Sequence, residues 1–239
     1  MKVDILAIGA HPDDIELSCS GTLLKHIDLG YTVGLLDLTR GEMGTRGTPE
    51  LRLEEAENAR KMMGAKFRKN LSMADGFFKN SKENQLKIIE IIREHQPDIV
   101  FANALNDRHI DHGKGAKVVA DACFLSGLQK IETKGSDGKA QERWRPKAIY
   151  HYIQDRQLTP DLVVDISDYM ERKIELILAF RSQFFDPDSN ELETPLTGSD
   201  FFDLIKGKNK AFGRDASYSY AEGFNVTRTI GVRDLVKLD

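Results

Sequence analysis

Two short stretches of this 239-residue chain concentrate side chains able to hold a metal ion and move protons. The first is Gly9-Ala10-His11-Pro12-Asp13-Asp14; the second is Asn106-Asp107-Arg108-His109-Ile110-Asp111-His112. Three of the six histidines, His11, His109 and His112, fall in these stretches, beside aspartates. His11 and Asp14 are three apart on a turn entering a helix, a spacing that lets both side chains converge on one point. His112, at the head of another helix, can supply a third ligand. Two imidazoles and one carboxylate leave a coordination position open, as in catalytic zinc sites. Such a set also accepts Fe(II) or another divalent ion. Asp13, between two of these ligands, is placed to take a proton from an attacking water. His109 can face the same cavity without ligating. As an imidazolium, its ring held and its pKa raised by Asp111, it would stabilise a developing oxyanion.

An aspartate pair alone more often caps a helix and complements its dipole. The coincidence of two such sets at strand ends favours chemistry instead. Between them runs Thr39-Arg40-Gly41-Glu42-Met43-Gly44-Thr45-Arg46-Gly47-Thr48, in which three glycines give the backbone freedom. Arg46, with Arg52 in the first turn of the following helix and Arg108 in the second motif, offers donors for an anionic group of a substrate. A dinucleotide turn is excluded: G-x-G-x-x-G is absent, and a proline and two acids stand where pyrophosphate would sit.

The elements that must position these residues alternate between strand and helix. Val3–Ile8 reads as a strand and Ile15–Leu29 as a helix stopped by Gly30. Thr32–Leu38 is a second strand. Thr48-Pro49 opens a helix that runs through Arg52–Met63 to Gly64. A short strand near Lys66–Leu71, a loop at Met73–Ser81, an amphipathic helix over Glu83–His95 and a buried strand at Ile99–Ala102 follow, then a helix around Gly113–Leu125. Lys134–Arg145 reads as an exposed loop, Ala148–Ile153 and Leu162–Ile166 as strands, and Tyr169–Phe180 as a helix. Phe184–Gly198, with two prolines and little periodicity, is a lid candidate. This alternation implies an α/β, Rossmann-like fold: a mostly parallel, doubly wound sheet with helices on both faces, in one domain over residues 1–239. Ligands then bind beyond the carboxyl ends of the strands, where both motifs lie.

Composition narrows the class. Forty per cent hydrophobic and 30% charged residues are globular proportions. A net charge of −4 argues against a nucleic-acid or membrane-surface partner. No apolar run is long enough to span a bilayer, and the N-terminus lacks a signal-peptide pattern, so a cytoplasmic location is expected. Two cysteines, Cys19 and Cys123, allow neither a disulfide framework nor a cysteine-based zinc finger.

Ala10-His11-Pro12-Asp13-Asp14 together with His109-Ile110-Asp111-His112 resembles the LmbE/PIG-L family of zinc-dependent de-N-acetylases, which act on N-acetylglucosamine conjugates on a Rossmann-like fold. Leu38–Arg52, Glu54-Glu55-Ala56, Gly64 and Tyr220-Ala221-Glu222-Gly223-Phe224 resemble the branch that hydrolyses N-acetylglucosaminyl malate in bacillithiol biosynthesis. The resemblance implies one zinc per chain on His11, Asp14 and His112, Asp13 as base, and His109 oriented by Asp111 as electrostatic stabiliser. It implies Arg52 as a contact to the malate carboxylate or the sugar, Tyr218 or Tyr220 as a further oxyanion group, and a homo-oligomer, often a hexamer. The expected partner is a small amino-sugar conjugate with an anionic aglycone. Ile110 replaces a frequent proline, and Ser18 and Ser20 replace glycines, which bears on packing in the first helix. The same chemistry on a chitooligosaccharide or an inositol-linked conjugate is the alternative substrate reading. A metal- or sugar-binding protein without turnover is the alternative class, and Asp13 argues against it.

Overall fold

A computed structural model of the chain describes residues 1–184, 192–198 and 200–237. The strands are β1 (Ile5–Gly9), β2 (Val33–Thr39), β3 (Phe67–Met73), β4 (Ile99–Ala102), β5 (Ala148–Tyr152), β6 (Leu162–Asp165) and β7 (Ala221–Val226). The helices are α1 (Asp14–Asp28), α2 (Pro49–Met63), α3 (Lys82–His95), α4 (Ile110–Ser126), α5 (Met170–Leu178) and α6 (Phe201–Arg214). One sheet runs in the order β3-β2-β1-β4-β5-β7-β6. Its first five members are parallel, and β7 is antiparallel to both neighbours. The expected α/β architecture is therefore the observed one.

β1 is buried on both faces, so its alternate side chains feed two cores. Leu6 and Ile8 pack with Ile88, Ile92, Val118 and Val119 from α3 and α4. Ile5 and Ala7 pack with Ile15, Cys19 and Leu23 of α1 and Leu176 of α5. Because β1 pairs with β2 on one side and β4 on the other, the order in which strands are added reverses there, and a crevice opens above their carboxyl ends.

Local signals act as the chain predicts. The Thr48 hydroxyl accepts from Leu51 N, Pro49 takes the first helical position, and Gly64 closes α2 with φ 85°. Ser20, where a glycine was anticipated, returns its hydroxyl to the Glu16 carbonyl at 2.7 Å. Two elements were not anticipated: α6 and β7, which supply the far wall of the crevice. Helix α4 also begins three residues before the expected Gly113, which makes His109 its N-cap. The antiparallel end of the sheet is fastened by Glu222 of β7, which accepts from Gly21 N (3.0 Å) and Thr22 N (2.7 Å) of α1 and pairs with Lys173 of α5. Within the lid candidate, residues 185–191 lie outside the described residues, while Thr194, Pro195 and Leu196 line the cavity. Among the described residues no helix is long and apolar enough to cross a membrane.

Candidate active site

The loops after β1, β2, β3, β4 and β5 meet over a cavity of about 380 Å³, within the range of small-ligand pockets. His11, Asp13, Asp14, His109 and His112 all face it. Asp14 lies between the two outer imidazoles: its Oδ2 is 3.6 Å from His11 Nδ1, and its Oδ1 is 3.2 Å from His112 Nε2. The ring of His109 sits against both, with centroids 4.6 Å from His11 and 5.2 Å from His112.

Residues that the sequence reading left without a role hold the outward sides of these groups. His11 Nε2 meets Asp75 Oδ1 at 3.0 Å, and His112 Nδ1 meets Asp107 Oδ2 at 2.5 Å. Each carboxylate keeps the proton on the ring nitrogen it touches, so the opposite nitrogen presents a lone pair. Asp14 itself accepts from His11 N (3.0 Å), Asn103 Nδ2 (2.9 Å) and Gln154 Nε2 (3.0 Å). Asp75, Asn103 and Gln154 each lie just past the end of β3, β4 or β5. The strand-end rule was the signal that could have found them.

His11 Nδ1, Asp14 and His112 Nε2 thus turn three acceptors toward one another in a buried space, an arrangement that needs positive charge between them. Burial works against charging His112, yet Asp14 and Asp107 push it up to about 9. Burial likewise opposes ionising Asp14, but His112 and His11 hold its carboxyl well below the usual range. The donor set therefore fits a divalent cation, and two imidazoles with a carboxylate are chemistry that zinc or iron(II) takes.

Asp13 stands in the same cavity with its backbone at φ 120°, a conformation that costs an ordinary residue about 1–3 kcal/mol. Burial pushes its carboxyl up to about 7, against the pull of Arg52. Arg52 explains that pull: its Nη2 donates to Asp13 Oδ2 and to the Pro12 carbonyl, both at 2.9 Å, and its Nη1 to the Gly41 carbonyl at 3.1 Å. Gly41 must be glycine for this seat, since its φ is +67° and a Cβ would fall 2.1 Å from Arg52 Nη1. Arg52 is thus spent on the acid, where the sequence suggested a substrate contact. Arg46 donates from Nε to Ser182 O (3.0 Å) and from Nη1 to Leu192 O (3.2 Å), joining Leu192 of the lid candidate to the chain just ahead of it. Arg108, exposed at the rim, is ion-paired with Asp155.

Asp111 also differs from expectation. Its carboxylate accepts from Gly76 N (2.6 Å) and Lys114 Nζ (3.0 Å), and lies 3.6 Å from His11 Nε2. It holds the His11 side of the site, and only its backbone N–H reaches His109, donating to Nδ1 at 3.2 Å. Burial, with the charges on His11 and His112, lowers the His109 pKa. His109 is consequently a neutral ring carrying its proton on Nε2, not the raised imidazolium inferred from Asp111 beside it in sequence. Ile110 is 65% exposed and is itself among the residues that line the cavity. Tyr218 packs against Ile153, Phe212 and Ala221, and Tyr220 lies under Lys210; neither is among the cavity-lining residues.

Comparison with known proteins finds similar sequences and folds. Residues 6–123 match the family model described as PIG-L, GlcNAc-PI de-N-acetylase. The chain is 28% identical over 229 residues to diacetylchitobiose deacetylase of Thermococcus kodakarensis, covering 92% of this chain and 81% of that one. The crystal structure of a conserved protein from Thermus thermophilus superposes with a TM-score of 0.85 at 33% identity over 98% of both chains. N,N'-diacetylchitobiose deacetylase from Pyrococcus horikoshii, complexed with an inhibitor, gives 0.77 at 26% identity, covering 93% of this chain and 83% of that one. With its two motifs meeting at one cavity on this sheet, the chain belongs to the PIG-L family of de-N-acetylases.

Proposed function

We propose that this protein is a metal-dependent hydrolase that removes the N-acetyl group from an N-acetylglucosamine conjugate, and that the conjugate is N-acetylglucosaminyl malate. The observation that carries the reaction class is the convergence of His11 Nδ1, Asp14 and His112 Nε2, with both outward nitrogens held by carboxylates. These three residues would hold the ion. A divalent cation there polarises the amide carbonyl and makes a nearby water more acidic.

The remaining steps belong to the chain. Asp13, with a carboxyl near neutrality, takes the proton of the attacking water and passes it to the departing amine. Arg52 fixes that carboxylate in place and keeps one oxygen engaged while the other works. His109 donates its Nε2 proton as a hydrogen bond to the oxygen that becomes negative in the tetrahedral state. Acetate and the free amino sugar result. The malate reading is supported by the wider sequence resemblance through Leu38–Arg52 and the Tyr220–Phe224 stretch.

The test is acetate release from N-acetylglucosaminyl malate and from N-acetylglucosamine by zinc-loaded protein, with Asp13→Asn alongside. The expected result is turnover of the conjugate that falls about 10²- to 10⁴-fold in the variant. No acetate from either sugar, with zinc still bound, would overturn the substrate; undiminished turnover by Asp13→Asn would overturn the base.

A further inference from the structure

The arginines that suggested an anionic substrate are committed within the protein: Arg52 to Asp13 and two carbonyls, Arg46 to carbonyls, and Arg108 to Asp155. One more cation faces the cavity. Lys208, on α6, lines it together with Ile205 and Phe212. Its Nζ lies 5.8 Å from the centre of the Phe212 ring. Among the described residues no carboxylate comes within ion-pair distance of it, although Asp107 and Asp155 act on it from farther away. Both of those acids have nearer partners: Asp107 grips His112 and accepts from Arg156 N, and Asp155 takes Arg108.

We infer that Lys208 is the residue that recognises an anionic group on the substrate's aglycone, a carboxylate in the conjugate proposed above. The inference rests on the amino-sugar reading of the same cavity. A half-buried ammonium between an aromatic ring and aliphatic side chains has lost much of its water without gaining a counter-ion. Burial accordingly lowers its pKa to about 8, against the pull of Asp107 and Asp155. An incoming carboxylate supplies the missing charge and the charge-assisted hydrogen bonds together. A neutral sugar at the same place would leave the ammonium unpaired, so the wall discriminates between substrates. The position also separates tasks: Asp107 holds His112 on the reacting side, while Lys208 belongs to an element that the family model does not cover.

The experiment compares wild type with Lys208→Met and Lys208→Arg, all zinc-loaded, using N-acetylglucosaminyl malate and methyl N-acetylglucosaminide. Direct binding by titration calorimetry and acetate release are both read. The quantity that matters is the preference for the malate conjugate over the methyl glycoside, in Kd and in kcat/KM. Lys208→Met should lower that preference about tenfold or more, and Lys208→Arg should restore most of it. A preference unchanged within about twofold in Lys208→Met, or lost equally in Lys208→Arg, would overturn the assignment. Failure of wild type to release acetate from either compound would overturn the substrate proposed above, while the calorimetric preference would still decide the role of Lys208.

Discussion

Helix α1 presents two acids two residues apart to two different buried charge clusters. Glu16 joins Asp37 around Arg68, whose Nε and Nη2 bond Asp37 at 2.7 and 2.9 Å while Nη1 reaches Glu16 at 2.6 Å. Asp14 joins His11 and His112. The first cluster carries its own cation in a planar fork, and donors meet acceptors throughout. The second turns acceptors toward acceptors and must borrow positive charge from outside. Burial is common to both, so burial does not mark a functional site. The mark is which of the two arrangements lacks its counter-charge.

That contrast can be broken at either cluster. The largest effect should come from Asp14→Ala, which removes the carboxylate between the imidazoles: metal content measured by emission spectroscopy should fall to background, with acetate release lost. A variant retaining stoichiometric metal would erase the distinction drawn here. Next, Arg68→Met should lower unfolding free energy by about 3–5 kcal/mol in denaturant melts, because it strands two buried acids, while metal content per folded chain stays the same. Asp107→Asn should weaken metal binding about 10- to 100-fold in chelator competition, since it releases the ring of His112 without touching the ion.

The smallest effect sharpens the role of Asp13. With its carboxyl raised by burial to about 7, kcat/KM should decline as pH falls through that value, because the base must be deprotonated. The same shift means that the native chain keeps a proton which the unfolded chain releases near pH 4. This group's contribution to stability is therefore full below about pH 4 and is lost as pH rises through about 7. A flat kcat/KM profile between pH 6 and 8 would remove Asp13 as the titrating base.

Much of the parallel half of the fold was legible because its local signals agree with its tertiary role. The cap at Thr48, the proline after it and the left-handed Gly64 bound α2 in the sequence as in the structure. The convergence of His11, Asp14 and His112 was legible too, because motif residues at strand ends are brought together by topology alone. Helix α6 and β7 were not. β7 reads Ala-Glu-Gly-Phe-Asn-Val, with an acid and a glycine where a strand would show alternation; it is a strand through its pairing with β5 and β6, with Glu222 held by Lys173 and two backbone N–H groups of α1. The partners of Arg52, Asp111 and Asp75 escaped for a related reason. Asp111 is two residues from His109 yet serves His11, and Asp75 reaches His11 across 64 positions. Sequence proximity suggested one orienting pair, while the fold built another.

The match to the family model ends at residue 123, and that boundary divides the cavity. The lining histidines His11, His109 and His112 and the aspartates Asp13, Asp14 and Asp75 lie before it, whereas Asp155, Lys208, Phe212 and Glu222 come after it. On the roles proposed above, the part before it performs the reaction and the part after it chooses what undergoes it. Exchanging the segment from β5 onward between relatives, with Gln154 kept to hold Asp14, should transfer substrate preference while leaving the chemistry in place. Change in the second part that spares Gln154 and Glu222 leaves the supports of Asp14 and of α1 in place while the cavity wall varies.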